Sequence, residues 1–229
     1  MVEYDILNAK TEVRGSIGIY PTRTIAFLYD GNVYTFDDRG CILRYRPQDK
    51  VIENLGVRIP NGGYEADIIS VFALCADPSG KKLYGLSSLV DQFVSVKNVF
   101  RGGYIFEYSA DGRDNGTLKD LGKGGVSEGA STSESELYHA ITFGKDDKVY
   151  YCAPVKGKPV HLMSYDPETG KKHDHGEMWV EGESIYVNAV FAACTGKDGR
   201  LFWGGLLKSD GDPKWDNEAV LIICDPGNL

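Results

Sequence analysis

The segment LMSYDPETGKKHDHG (162–176) decides the fold once it is laid against ILRYRPQDKVIENLG (42–56). Each carries apolar residues, a tyrosine, a Pro-containing polar turn and a closing glycine 11 residues after the tyrosine. Tyr4-Asp5 leads to Gly15 with the same spacing, and Tyr108 leads to Leu121-Gly122 with a spacing of 14. That longer copy carries the extra turn Asp111-Gly112-Arg113-Asp114-Asn115-Gly116, and a fifth copy opens at Cys224-Asp225-Pro226. Working outward, a second shared element precedes each later copy: Asp30-Gly31-Asn32-Val33-Tyr34, Ser79-Gly80-Lys81-Lys82-Leu83-Tyr84, Asp146-Asp147-Lys148-Val149-Tyr150 and Asp198-Gly199-Arg200-Leu201-Phe202. A polar turn followed by an apolar–aromatic pair, recurring at this scale, marks a repeat architecture.

Each repeat reads as four short strands. Strand A is apolar (Ile69–Ala76, Tyr138–Phe143, Ala189–Cys194), as suits an inner strand buried on both faces. A tight turn leads to strand B (Val33–Phe36, Leu83–Leu86, Val149–Cys152, Leu201–Gly204), then to an alternating strand C (Ile42–Tyr45, Tyr104–Tyr108, Leu162–Tyr165, Leu221–Cys224) and to strand D, which ends on the glycine. The best helical candidate, Val90–Phe100, fits a helical period only in part. Four-stranded repeats with such hairpin turns stack radially, so the expected fold is an all-β β-propeller of about four blades, with repeats near 1–18, 19–56, 57–122, 123–176 and 177–229. Strand C landmarks outnumber the others by one. The expectation is therefore a partial propeller, completed by further blades of a larger ring or by a homo-oligomer.

The elements Asp-Gly-x-Val/Leu-Tyr and Leu-x-x-Tyr-Asp-Pro-x-Thr-Gly resemble those of kelch-like and YVTN-type repeats. They are also similar to the blades of propeller polysaccharide lyases such as oligogalacturonate and ulvan lyases. The resemblance covers nearly the whole chain and rests on structural motifs, which many functions share.

Composition narrows the function. The chain has 229 residues, 42% hydrophobic and 25% charged, with 28 Gly and 14 Tyr against 3 Met, a profile that favours strands and turns. Its 25 basic and 33 acidic residues leave a net charge of −8, which repels nucleic acid and anionic membranes. The opening MVEYDILNAK lacks the basic and apolar segments of a secretory signal, and no apolar run is long enough to span a bilayer, so a cytoplasmic location is expected. Cys41, Cys75, Cys152, Cys194 and Cys224 form no Cys-x-x-Cys pair, and most sit in apolar runs, as buried free thiols do.

A propeller gathers its B–C and D–A connections on one side, and here that side carries the long ones. Long loops on a rigid scaffold are where binding resides. A carbohydrate or protein ligand is expected there, held by Arg58, Tyr64, Asp67, Trp179, Tyr186 and Asn188, with aromatic rings against sugar faces. His139 opens one strand A; Arg23, Phe72 and Phe191 hold the same place in the other repeats. His139, Tyr138 and Arg23 together suit proton abstraction beside a uronate carboxylate, the chemistry of a β-eliminating lyase on an acidic oligosaccharide. The other reading is a non-catalytic module that binds protein or glycan. No cofactor motif is present; His173-Asp174-His175 offers at most half of a divalent-metal site, at positions where the other repeats have Glu53-Asn54-Leu55 and Lys119-Asp120-Leu121. Gly125-Val126-Ser127-Glu128-Gly129 matches a nucleophile-elbow pattern without the flanking strand and helix, so a loop is expected.

Overall fold

A computed structural model describes residues 2–5, 7–13, 24–59, 68–91, 99–101, 103–110, 115–125, 140–155, 158–209 and 217–229. A hairpin of β1 (Val2–Asp5) and β2 (Lys10–Val13) comes first. Four antiparallel sheets follow. The first holds β3 (Ala26–Phe27), β4 (Val33–Phe36), β5 (Cys41–Arg46) and β6 (Val51–Arg58). The second holds β7 (Ile68–Ala76), β8 (Lys82–Asp91), β10 (Tyr104–Ser109) and β11 (Thr117–Lys123), with β9 (Val99–Arg101) added beside β8. The third holds β12 (Ile141–Phe143), β13 (Val149–Ala153), β14 (His161–Tyr165) and β15 (Lys172–Glu177). The fourth holds β16 (Ile185–Thr195), β17 (Leu201–Ser209) and β18 (Ala219–Cys224). Strands β7 and β16 both pack against β12, and β3 packs against β7, so the inner strands stand side by side in chain order. This is the arrangement of a β-propeller.

The repeated tyrosines share one environment. Tyr45 lies opposite Val33, Tyr108 opposite Leu83, and Tyr165 opposite Val149, and all three are buried. Cys224 lies opposite Leu201 in the fourth sheet. The turn glycines are explained by backbone angle: Gly31, Gly80 and Gly199 have φ of 76°, 65° and 91°, and Asp147 takes the same place at 62°. Glycine carries no Cβ penalty there, and aspartate tolerates the left-handed region better than most residues. The closing glycine of each of the first three sheets lies in a β-bulge. Gly56, Gly122 and Gly176 also have positive φ, and their N–H groups donate to Asn54 Oδ1 (2.9 Å), Asp120 Oδ1 (2.7 Å) and Asp174 Oδ1 (2.8 Å). Tyr34 and Tyr150 donate their hydroxyls to Asp30 Oδ2 (2.7 Å) and Asp146 Oδ2 (2.8 Å), pinning the strand to the turn that precedes it.

Three apolar cores fill the spaces between successive sheets. Each pairs the front of one sheet with the back of the next. Ile42, Ile105 and Leu162 look forward from sheets one to three, while Phe106 and Tyr108, Met163 and Tyr165, and Ile222 and Cys224 look back from sheets two to four. Full burial of one such side chain contributes roughly 1.5–3 kcal/mol, so these interfaces rather than the sheets alone hold the fold.

Several expectations change. Val90–Phe100 is not helical where it is described: Val90 pairs with Phe100 and Asp91 with Val99 in the β8–β9 hairpin. Strands run further into the long-connection side than expected, with β16 beginning at Ile185 and β17 reaching Ser209, because bulged inner strands continue their pairing past each irregularity. Cys152 is buried, but Cys194 is exposed, on the face of the fourth sheet that no other sheet covers among the described residues. No α-helix occurs among the described residues.

Candidate functional site

Gly176 lies in a bulge one residue before the end of β15, and the chain then crosses from the third sheet to the fourth. Three backbone hydrogen bonds hold that crossing: Val160 N–H to Val187 O (2.8 Å), Met178 N–H to Val160 O (2.8 Å) and Val187 N–H to Met178 O (2.9 Å). A tight turn follows, closed by Val180 N–H to Ile185 O at 2.8 Å. The return brings Trp179 opposite Tyr186 in an isolated antiparallel bridge. Their rings meet edge to face, with centroids 5.2 Å apart and planes at 61°. Such a pair is worth about 0.5–1.5 kcal/mol beyond the area it buries. Tyr186 is buried beneath while Trp179 remains 46% exposed, and Trp179 Nε1 donates to Glu177 Oε2 at 2.8 Å. The indole is thus held by Glu177, by Tyr186 and by the backbone, while nearly half of the residue's surface stays exposed.

Trp179 borders a groove of about 310 Å³ between sheets three and four. Leu162, Val187, Leu207 and Ile222 form its apolar floor, and His175, Glu177 and Trp179 its polar rim. An electrostatic network runs beside the rim, with Asp174 in register with Met163 on the face of the third sheet that looks back to the second. His161 Nδ1 lies 3.0 Å from Asp174, and His161 Nε2 lies 3.8 Å from Glu177 Oε1. His175 Nε2 is 2.9 Å from Ser164 Oγ, its ring stacks on Tyr150, and His173 meets it edge-on at 4.6 Å. Burial, and secondarily the neighbouring His173, lower the His175 pKa below the ordinary histidine value. His175 therefore faces the groove as a neutral imidazole at pH 7.

That shift has a sign in stability. An unfolded histidine titrates near 6.5, so His175 contributes fully above that pH, and its contribution is lost as the pH falls toward the lower folded value. His175→Gln keeps a hydrogen-bonding partner for Ser164 and removes the titration. Its thermal midpoint is expected to decline less steeply than wild type below about pH 6.5, measured by circular dichroism melts across that range.

Of the residues read from the sequence as a site, Trp179 and Tyr186 come together here. Asn188 lies two residues further along β16, in the register shift between Val187 and Ala189, and is half-buried. Arg58 is on the first sheet, where its Nε donates to Arg39 O at 2.8 Å. His139, Tyr138, Arg23, Tyr64 and Asp67 lie outside the described residues, as does the Ser127 motif. Phe72 and Phe191, which share the repeat position of Arg23 and His139, are the extra residues of bulges on β7 and β16. Among the described residues no three His, Cys, Asp or Glu side chains converge as metal ligands. The Glu177–Trp179 and His161–Asp174 partnerships escaped the sequence reading, because the bulge between His161 and Met163 shifts the register on which they depend.

No protein-family model and no curated protein matches the chain. Solved structures do. The extracellular domain of a hybrid two-component system from B. thetaiotaomicron superposes with a TM-score of 0.57 at 11% identity over 96% of this chain. A gluconolactonase from Xanthomonas campestris gives 0.51 at 12% identity over 88%, and the PQQ-bound aldose sugar dehydrogenase of Streptomyces coelicolor gives 0.50 at 16% over 86%. The chain spans 24%, 61% and 63% of those proteins respectively. At such identity the likeness is one of fold.

Proposed function

We propose that the protein is a carbohydrate-binding propeller and that Trp179 is the platform on which a sugar ring rests. The observation that carries this reading is the fixed indole: it is 46% exposed, in edge-to-face contact with Tyr186 and hydrogen-bonded through Nε1 to Glu177. A preset aromatic side chain costs little ordering entropy on binding and suits the apolar C–H face of a sugar, while Glu177, which lines the groove, offers an acceptor for its hydroxyls. Two of the proteins sharing the fold carry sugar-directed names, a gluconolactonase and an aldose sugar dehydrogenase, which supports the ligand class. The net charge of −8 favours a neutral saccharide over an acidic one.

The test is titration of neutral oligosaccharides, followed by tryptophan fluorescence and calorimetry. Trp179→Ala is expected to weaken binding at least about tenfold, the equivalent of ~1.4 kcal/mol, while lowering the melting midpoint by no more than a few degrees through loss of the Tyr186 contact. Binding that survives this substitution would remove the platform from the proposal.

A finer reading assigns β-elimination on a uronate-containing oligosaccharide, with His139 or Tyr138 as base and Arg23 or Arg58 on the carboxylate. Its support is the bulge position: bulges re-aim side chains, and the equivalents of His139 in sheets two and four occupy one. The base would take the proton beside the carboxylate, its electron pair would form the ring double bond, and the glycosidic oxygen would leave. Wild type should then release unsaturated uronate seen by ultraviolet absorbance, and His139→Ala should release none while still binding ligand. Absence of product from wild type rejects the elimination and leaves the binding reading standing.

A further inference from the structure

The fronts of the first three sheets present the same wall to the sheet that follows. In the first sheet the wall is Tyr34, Ile42 and Leu55, and in the second it is Tyr84, Ile105 and Leu121. Each of these two walls receives the repeated tyrosine of the next sheet. Tyr108 meets Tyr34 with ring centroids 5.7 Å apart, and Tyr165 meets Tyr84 at 6.3 Å. In the third sheet the same positions are Tyr150, Leu162 and His175, and the His175 ring stacks on Tyr150. The residue that should bring a ring to this wall is Cys224, which lies opposite Leu201 as Tyr108 lies opposite Leu83 and Tyr165 opposite Val149. A thiol takes far less space than a phenol. The groove described above opens at this place, and Cys224, Leu162, His175 and Ile222 all line it.

We infer that the groove is a binding site for an aromatic ring, the phenyl or phenol group of a small ligand, in the place that a tyrosine of the chain fills in the other two interfaces. The wall that accepts a tyrosine twice within this chain is present a third time, and only the ring is missing. An apolar space left by an absent side chain takes up a free ring of similar size, because the lining atoms otherwise lack contacts on one side. A volume of about 310 Å³ is in the range of small-molecule sites, and open enough for a ring to enter without unfolding the interface. Leu162 and Ile222 offer aliphatic contacts, and the neutral His175 imidazole places no charge against the ring. This inference goes beyond the sugar platform and does not rest on it.

The probe is p-cresol, the tyrosine side chain as a free molecule, titrated by calorimetry against the whole chain. Saturable binding to a single class of site is expected. Cys224→Tyr, which supplies the ring from within, should weaken that binding at least about tenfold and raise the melting midpoint by a few degrees. Cys224→Ala should still bind. Alkylation of the Cys224 thiol, followed by peptide mass spectrometry, should slow as p-cresol saturates, while alkylation of the exposed Cys194 should not change. Should Cys224→Tyr fail to fold, this protection decides alone. No saturable binding, binding undiminished in folded Cys224→Tyr, or a Cys224 thiol that p-cresol does not protect overturns the inference. None of these results bears on sugar binding at Trp179, which the oligosaccharide titration tests separately.

Discussion

Trp203→Ala should cost about 3–5 kcal/mol, a large share of the stability of an ordinary domain. Trp203 is fully buried on the back of β17, between Ala193 and Ile222 on the neighbouring strands, in the core that joins sheets three and four. Tyr150, Val190 and Leu201 belong to the same core. Removing the indole leaves a cavity that these side chains cannot close, because each is held by its own strand. Urea unfolding should show a lower midpoint with an unchanged slope. A loss below about 1 kcal/mol would mean that the fourth sheet is not stabilised by its contact with the third. Since Tyr186 and Val187 belong to β16 of the same sheet, the variant should also loosen the Trp179 platform and weaken ligand binding.

Gly85→Ala should be nearly as damaging, by the opposite route. A Cβ on Gly85 would stand 2.2 Å from Phe106 Cζ and 2.8 Å from Leu74 Cδ2. Phe106 cannot step aside: it is fully buried and meets Phe36 of the first sheet edge to face at 5.5 Å. Overpacking of this kind costs typically 1–3 kcal/mol, and a value of about 3 is expected here. Gly204→Ala is the matched control, because its nearest neighbour would be Ala192 Cβ at 3.8 Å, an ordinary contact. Phe106→Leu should be destabilising alone and should partly rescue Gly85→Ala, giving a measurable coupling energy. Equal effects of the two glycine substitutions would show that backbone entropy, not the Phe106 contact, governs Gly85.

The two sites are one repeat position. Gly85 and Trp203 both follow the aromatic residue of strand B, and both lie opposite a residue of strand C: Phe106 faces Gly85, and Ile222 faces Trp203. Tyr151 opposite Met163 and Thr35 opposite Leu43 complete the set. In the first and second sheets a small residue meets a large one, whereas in the third and fourth both partners are large, so the same repeat position is filled by different divisions of volume.

The features legible from residue order are local ones. The tyrosine, the Asp-Gly turn and the Asx-x-Gly ending are each fixed by bonds spanning a few residues, such as Asp174 to Gly176 or Asp146 to Tyr150, and by φ values that few side chains accept. Such features survive in any context, so strand order, turn positions and the propeller repeat could be read directly. Tertiary structure alone decided the rest. It made Val90 and Phe100 partners in a hairpin, extended β16 to include Tyr186, left Cys194 and Leu221 uncovered, and set Glu177 against Trp179. Each of these depends on which sheet stands beside which, and on bulges that shift register by one residue. No local spacing encodes either.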